Sequence, residues 1–195
     1  MCIRDSSWAP DGNYALNAMV YDFAQLVHTL GYDEVTIVAH SMGSLITSRY
    51  AGLYPEKVRR FVDIEGLGPD LDYMAKREPQ PVADALRSWI DSKRGAAARA
   101  PKKYATLRDA YARMREVNSH LSEERARHLT IHGASRNEDG TWTWTFDPYI
   151  HVTWFNDLPR PMVEELWSQI ECPVLMMHGT DSFARNPEPV SYTHL

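Results

Sequence analysis

The stretch "VTIVAHSMGSLITSRYAG" (35–52) limits the fold of this chain more than any other. Val35 through Ala39 are apolar and mostly β-branched, as a buried parallel strand requires. From about Gly43 to Tyr54 the residues suit a helix, which stops before Pro55. The chain must therefore pass from strand to helix around Ser41, in Ala39-His40-Ser41-Met42-Gly43. A serine on so sharp a turn is a nucleophile elbow. The turn demands small residues two before and two after the serine. Gly43 meets that demand, and Ala39 adds one methyl where glycine is usual. The Ser41 hydroxyl would then project from the carboxyl edge of a sheet, where open α/β sheets bind ligands. The Met42 N–H, at the helix start, would be one oxyanion donor.

The flanking pattern extends this unit. Residues 14–31 keep a helical period through Leu16, Met19, Val20, Phe23, Leu26, Val27 and Leu30, with Gly31 as a stop. "RRFVDIEG" (59–66) predicts a second buried strand. Helix, strand, helix, strand in this order predicts an α/β sheet with right-handed crossovers. Residues 69–135 turn rich in Ala, Arg, Glu and Leu and predict several amphipathic helices. One runs over 122–132, with Ser122 as cap, Glu123 and Glu124 in its first turn and Gly133 at its end. "NEDGTWTWTFDP" (137–148) predicts a short hairpin through its Asp-Gly turn and alternating run. A helix follows Pro161, and "CPVLMMHG" (172–179) predicts another buried strand.

The two ends differ from everything between them. "MCIRD" and "VSYTH" are encoded by one DNA string, ATGTGTATAAGAGACAG, read in opposite orientations. That string resembles a transposon terminal repeat, so 1–6 and 190–195 are read as an adapter scar outside the fold. The expected organisation is a first core segment over 7–68, a helical cap over 69–160 and a later core strand over 161–189. The natural start and end are expected to lie beyond these limits. Apolar residues make up 44% of the chain, which suits a globular domain. A net charge of −5 argues against nucleic acid as the main partner. No apolar run approaches the roughly 20 residues of a membrane helix. With Cys2 in the scar, Cys172 stands alone, which favours a reducing, cytoplasmic setting.

The elbow, "YPEKVRRFVDIEGLGP" and "CPVLMMHGTDS" together resemble an α/β-hydrolase with a serine nucleophile over nearly all of 7–188. "REVNSHLSEERARHLTIHG" and "DGTWTWTFDP" resemble the serine hydrolase-like branch. The resemblance implies a mostly parallel core sheet, incomplete here, with an inserted helical cap. It also implies a Ser–acid–His triad in that chain order, a second oxyanion N–H from a loop before residue 7, and no cofactor or metal. Two carboxylates compete for the acid. Asp181 follows the last strand, but two residues after Gly179 instead of three, where Ser182 stands. Glu65 ends the strand after the elbow helix, where some branches carry their acid. Either carboxylate can orient an imidazole.

None of the eight histidines suits the base. His40 adjoins Ser41 but points away from it, as a pocket-wall or packing residue, and His178 is expected to pack at a strand end. His28 and His120 read as surface. His128 and His132 have metal-ligand spacing but lack the glutamate of HExxH. His151 faces substrate or packs, and His194 belongs to the scar. The triad histidine is therefore expected beyond this chain, leaving the chain alone inactive, with exposed sheet edges prone to aggregate. Trp142, Trp144, Phe146, Tyr149, Trp154 and Phe155 either line a lid over a small apolar acyl substrate or pack the core. Hydrolysis of a carboxylic ester is the expected activity. Thioester or carbon–carbon bond hydrolysis, or a non-catalytic ligand-binding role, are the alternatives.

Overall fold

A computed structural model describes residues 8–9, 11–66, 81–152 and 157–179. The chain divides into two compact units, Ala15–Ala85 with Trp154–Leu195, and Met1–Tyr14 with Leu86–Thr153.

The first unit holds the sheet. Helix α1 spans Leu16–Leu30 and buries Leu16, Met19, Val20 and Val27, the apolar positions of its helical period. It ends at Gly31, whose φ of 68° is left-handed and whose N–H returns to the His28 carbonyl. Strand β1 (Val35–His40) feeds α2 (Met42–Leu53) through the single residue Ser41. Strand β2 spans Val58–Ile64, and α6 (Arg160–Trp167) precedes β5 (Val174–Met177). The three strands are parallel in the order β1-β2-β5.

Register decides what each face carries. Ile37 pairs with Phe61 and Phe61 with Val174, so these three share one face. That face packs on Val27 of α1, Tyr50 and Ala51 of α2, and Ile170. Phe61 is 2% exposed at its centre. The other face carries Val38, Val62 and Leu175 in one row and His40, Ile64 and Met177 in the next. Here Val38, Leu175 and Met177 are exposed. The sequence predicted strands buried on both faces; the helices α1 and α2 cover only one, so the second face stays open at these positions.

Helix α2 is held from the side by α6. Gly52 lies so close to the Leu166 carbonyl that a β-carbon there has no room. Trp167 Nε1 donates to Ser48 Oγ at 3.1 Å. Arg49, 3% exposed on α2, pairs with Asp157 through contacts of 2.8 Å. Its Nε and Nη1 make no hydrogen bond of standard geometry, so the pair with Asp157 is the main compensation for a buried charge.

The second unit is helical with one hairpin. Helix α3 spans Val82–Ala97 and lies in this unit from Leu86 onward. Helix α4 (Leu107–Val117) opens on a capping box, in which Thr106 and Asp109 each bond the other's backbone N–H. Helix α5 (Glu123–Gly133) starts at Ser122, whose hydroxyl accepts from the Arg125 N–H. Gly133 is the last helical residue, not the stop beyond it, and the chain runs straight into β3. Fully buried Ala110 and Ala126 mark where small side chains let these helices approach. Strands β3 (Ala134–Arg136) and β4 (Trp142–Trp144) form the antiparallel hairpin around Gly140, at φ 83°.

Residues 8–14 were expected with the sheet but belong to the helical unit. Trp8 Nε1 donates to the Thr145 carbonyl and the Tyr14 hydroxyl to Asp147, both at 2.7 Å. Gly12, at φ 61°, lies flat on the Tyr149 ring, and Lys93 Nζ donates to its carbonyl. These bonds explain the altered boundary.

Asp157→Ala should lower stability by about 2 kcal/mol, because it leaves a buried guanidinium unpaired at a partly exposed site. Glu116→Ala, which removes the exposed pair with Arg113, should leave the urea midpoint unchanged. Equilibrium urea denaturation of both variants checks this contrast.

Candidate functional site

The carboxyl ends of the three parallel strands meet at one backbone relay. The Ser41 N–H donates to the Ile64 carbonyl at 2.8 Å, and the Glu65 N–H to the Met177 carbonyl at 2.8 Å. Each strand end is thus pinned to the next. Two described non-glycine residues have positive φ, Ser41 at 53° and Glu65 at 55°. Such conformations cost about 1–3 kcal/mol each and persist only where surrounding bonds enforce them. Both stand at this edge, and Ser41 bonds the residue preceding Glu65.

Ser41 has ψ −122° and occupies the cap position of α2, but its side chain caps nothing. The first turn is closed instead by its carbonyl, which accepts from the Ser44 and Leu45 N–H groups. The hydroxyl is thereby left for other work. The N–H groups of Met42 and Gly43 precede the first intrahelical bond and are orphan donors of the helix start. A β-carbon built on Gly43 would meet Ala39 Cβ at 3.9 Å, an ordinary contact. The steric demand at position 43 is therefore milder than the sequence reading held. Two alanine-sized groups fit across this elbow.

Glu65 is half-buried, and its Oε1 accepts from the Gly179 N–H at 2.8 Å. The carboxylate thus reaches the segment that follows β5. Asp181, the competing acid, lies outside the described residues. Beneath Glu65 sits Asp63, 2% exposed, whose Oδ1 accepts from the Gly66 N–H at 2.8 Å. Burial raises the Asp63 pKa above its ordinary value, while the Ser44 hydroxyl and the Gly66 N–H oppose that rise. Ser44 Oγ is buried and makes no hydrogen bond of standard geometry. Sequence reasoning passed over Asp63 and Ser44. The available signal was one acid inside the otherwise apolar run "FVDI".

The histidines divide clearly. His40 is exposed on the face of Val38, pointing off the covered side. His178 is exposed, which corrects the expectation that it packs; it follows β5, where the open face begins. His28 and His120 are exposed as predicted. His128 and His132 stack with ring centres 4.4 Å apart, but no group of three metal-ligating side chains occurs among the described residues. No described imidazole bonds Ser41. His151's side chain and residues Trp154, Phe155 and His194 lie outside what is described. In the hairpin, Trp144 donates to the Tyr104 hydroxyl and stacks edge-on against that ring. Trp142 and Trp144 are half-buried within their own unit, whereas Phe146 is exposed. Among the described residues, no helix is long and apolar enough to cross a membrane.

A parallel sheet with helices packed on it is the architecture that the comparisons recover. The sequence matches the alpha/beta hydrolase fold family over residues 3–184. The chain belongs to that family. It is 25% identical over 180 residues to a serine hydrolase-like protein of Danio rerio, spanning 90% of this chain and 53% of that one. A hypothetical protein of Pseudomonas aeruginosa PAO1 superposes with a TM-score of 0.70 at 23% identity, over 86% of this chain and 57% of that one. The thioesterase domain of the curacin biosynthetic pathway superposes with a TM-score of 0.71 at 21% identity, over 90% and 61%. This alpha/beta hydrolase chain thus spans somewhat over half the length of the proteins it resembles.

Two predictions follow from the strain and the burial. Ser41→Gly should stabilise the fold by about 1 kcal/mol, since glycine adopts positive φ without penalty. Thermal unfolding of the two chains measures this. Asp63 has a folded pKa above its unfolded one, so it favours folding at low pH and loses that contribution as pH rises through the folded pKa. Asp63→Asn should therefore gain stability relative to the parent at neutral pH. The gain should vanish below the unfolded pKa, as urea midpoints at several pH values will show.

Proposed function

We propose that this alpha/beta hydrolase cleaves a carboxylic ester or a close acyl relative through an acyl-enzyme on Ser41. The observation that carries the reading is the strained Ser41, at φ 53° on a one-residue strand-to-helix turn, with its hydroxyl unspent on capping. Strain of this kind is retained where a side chain must be presented to a substrate. Likeness to a serine hydrolase-like protein supports the same residue type as nucleophile.

In this reading a histidine outside the described residues takes the Ser41 proton as Oγ attacks the carbonyl carbon. The Met42 N–H, an orphan donor at the α2 start, meets the oxyanion. The tetrahedral adduct collapses, the histidine returns the proton to the leaving oxygen, and the alcohol departs. Water, deprotonated by the same imidazole, then releases the acid and restores Ser41. Glu65 orients the imidazole. It is favoured over Asp181 because its backbone is pinned beside Ser41 through Ile64 and Met177. Aspartate nucleophiles, as an epoxide hydrolase of this fold would need, have no counterpart at position 41. No cofactor or metal takes part in this scheme. The acyl group is small to medium and apolar, in keeping with the aromatic hairpin.

The test is turnover of p-nitrophenyl butyrate by the whole protein of which this chain is a part. Ser41→Ala should lower kcat by about 10^3-fold or more, and Glu65→Gln by about 10^2-fold or more. Asp181→Asn should change kcat less than tenfold under the same assay. An unaffected Ser41→Ala would overturn the serine mechanism and favour the ligand-binding alternative. A larger loss in Asp181→Asn than in Glu65→Gln would move the acid to Asp181.

A further inference from the structure

Asp63 stands on the covered face of β2, in the row of Ala39 and Met176. A carboxylate buried there costs several kcal/mol unless it is well bonded, and an apolar residue would fill the place at no such cost. Its contacts show what the acid does that an apolar residue cannot. On one side, Oδ1 holds the Gly66 N–H at 2.8 Å, directly after Glu65. On the other side of that turn, the Ser44 side chain, fully buried in the first turn of α2, packs directly against Gly66, its hydroxyl making no hydrogen bond of standard geometry. The Ser44 N–H in turn bonds the Ser41 carbonyl at 2.9 Å. The three groups are pressed together: a β-carbon at Gly66 would sit 2.5 Å from both Asp63 Oδ1 and Ser44 Oγ, and would overlap Ser44 Cβ. Position 66 is therefore glycine because helix, strand and turn converge on it.

We propose that Asp63 is a positioning residue: its carboxylate holds the Gly66 turn tightly packed on the Ser44 side chain in the first turn of α2 and so fixes Ser41 relative to Glu65. The catalytic meaning of this tie rests on the proposed roles of Ser41 and Glu65; the tie itself does not. It also accounts for how Ser41 and Glu65 both keep positive φ: each lies close in sequence to one side of this contact, Ser44 or Gly66.

The experiment uses amide NMR of this chain from pH 3 to pH 8. In the parent, the Gly66, Ser41 and Met42 amide resonances should shift with one common midpoint. Asp63→Asn keeps an oxygen for Gly66, so it should lose the titration and keep the tie. Slow hydrogen exchange at the Ser41 and Gly179 amides should therefore persist in it. Asp63→Leu, of similar bulk, should speed exchange at both amides about tenfold or more. Ser44→Ala cuts the helix side alone and should abolish the inflection at Ser41 and Met42 while Gly66 keeps it. An inflection confined to Gly66 in the parent, or parental exchange rates at Ser41 and Gly179 in Asp63→Leu, would overturn the proposal and reduce Asp63 to a local turn cap.

In the whole protein, Asp63→Leu should lower kcat about tenfold at unchanged KM, and Asp63→Asn should restore it, as a displaced but intact nucleophile requires. Restoration failing in a folded Asn variant would also count against the tie. If Ser41→Ala keeps full turnover while the shared amide midpoint is present, the ester-hydrolase reading fails and the tie stands. If Ser41→Ala abolishes turnover while the amides titrate apart, the reverse holds.

Discussion

Everything at the carboxyl edge of the sheet depends on one hydrogen bond, from the Ser41 N–H to the Ile64 carbonyl. A strand that becomes a helix across a single residue must put that residue in a costly conformation. The bond to the neighbouring strand prevents the turn from relaxing. It needs β1 and β2 to be parallel and in register, with His40 opposite Ile64. That register depends in turn on the face where Ile37 and Phe61 pack under α1 and α2. Burial of the core and strain at the site are therefore parts of one arrangement. The apolar face supplies the free energy, and the edge uses a small part of it to hold two backbones where they would not otherwise rest.

The elbow was legible in the sequence because its cause is local. The β-branched run before Ser41 favours a strand and the residues after it suit a helix, so the change of direction must fall at the serine. Strand and helix limits in the sheet unit followed to within a residue or two for the same reason, whereas the hairpin read over 137–148 has its strands at Ala134–Arg136 and Trp142–Trp144. Gly31 and Ser122 signal their helix ends by backbone freedom and side-chain capping, both of which act over a few residues.

What the sequence left hidden was set by contacts far apart in the chain. Val38 and Leu175 look like residues buried on both sides, and no periodicity states that only one face of the sheet is covered. Asp63 reads as an interruption in an apolar strand until Gly66 and Ser44 are seen around it. Between Glu65 and Asp181, whose spacing after Gly179 is one residue short, the sequence left the acid open. Only the pairing of β1, β2 and β5 brings the Glu65 backbone into the relay beside Ser41. Trp8 and Tyr14 reach acceptors more than a hundred residues away, a distance over which local patterns carry no information.

Those last two contacts bear on how the molecule can be cut. A helical insertion that leaves and re-enters a fold at neighbouring points can be excised and the ends rejoined. This one cannot, because the chain passes between the two units at three places, after Tyr14, Ala85 and Thr153. Removing 86–153 would strip the Tyr14 hydroxyl of Asp147, the Trp8 indole of Thr145 and the Gly12 backbone of its aromatic floor. The segment leading into α1 would lose its folding partner. A transplant of this helical unit onto another member of the family must therefore carry two pieces of sequence, residues 8–14 as well as 86–153.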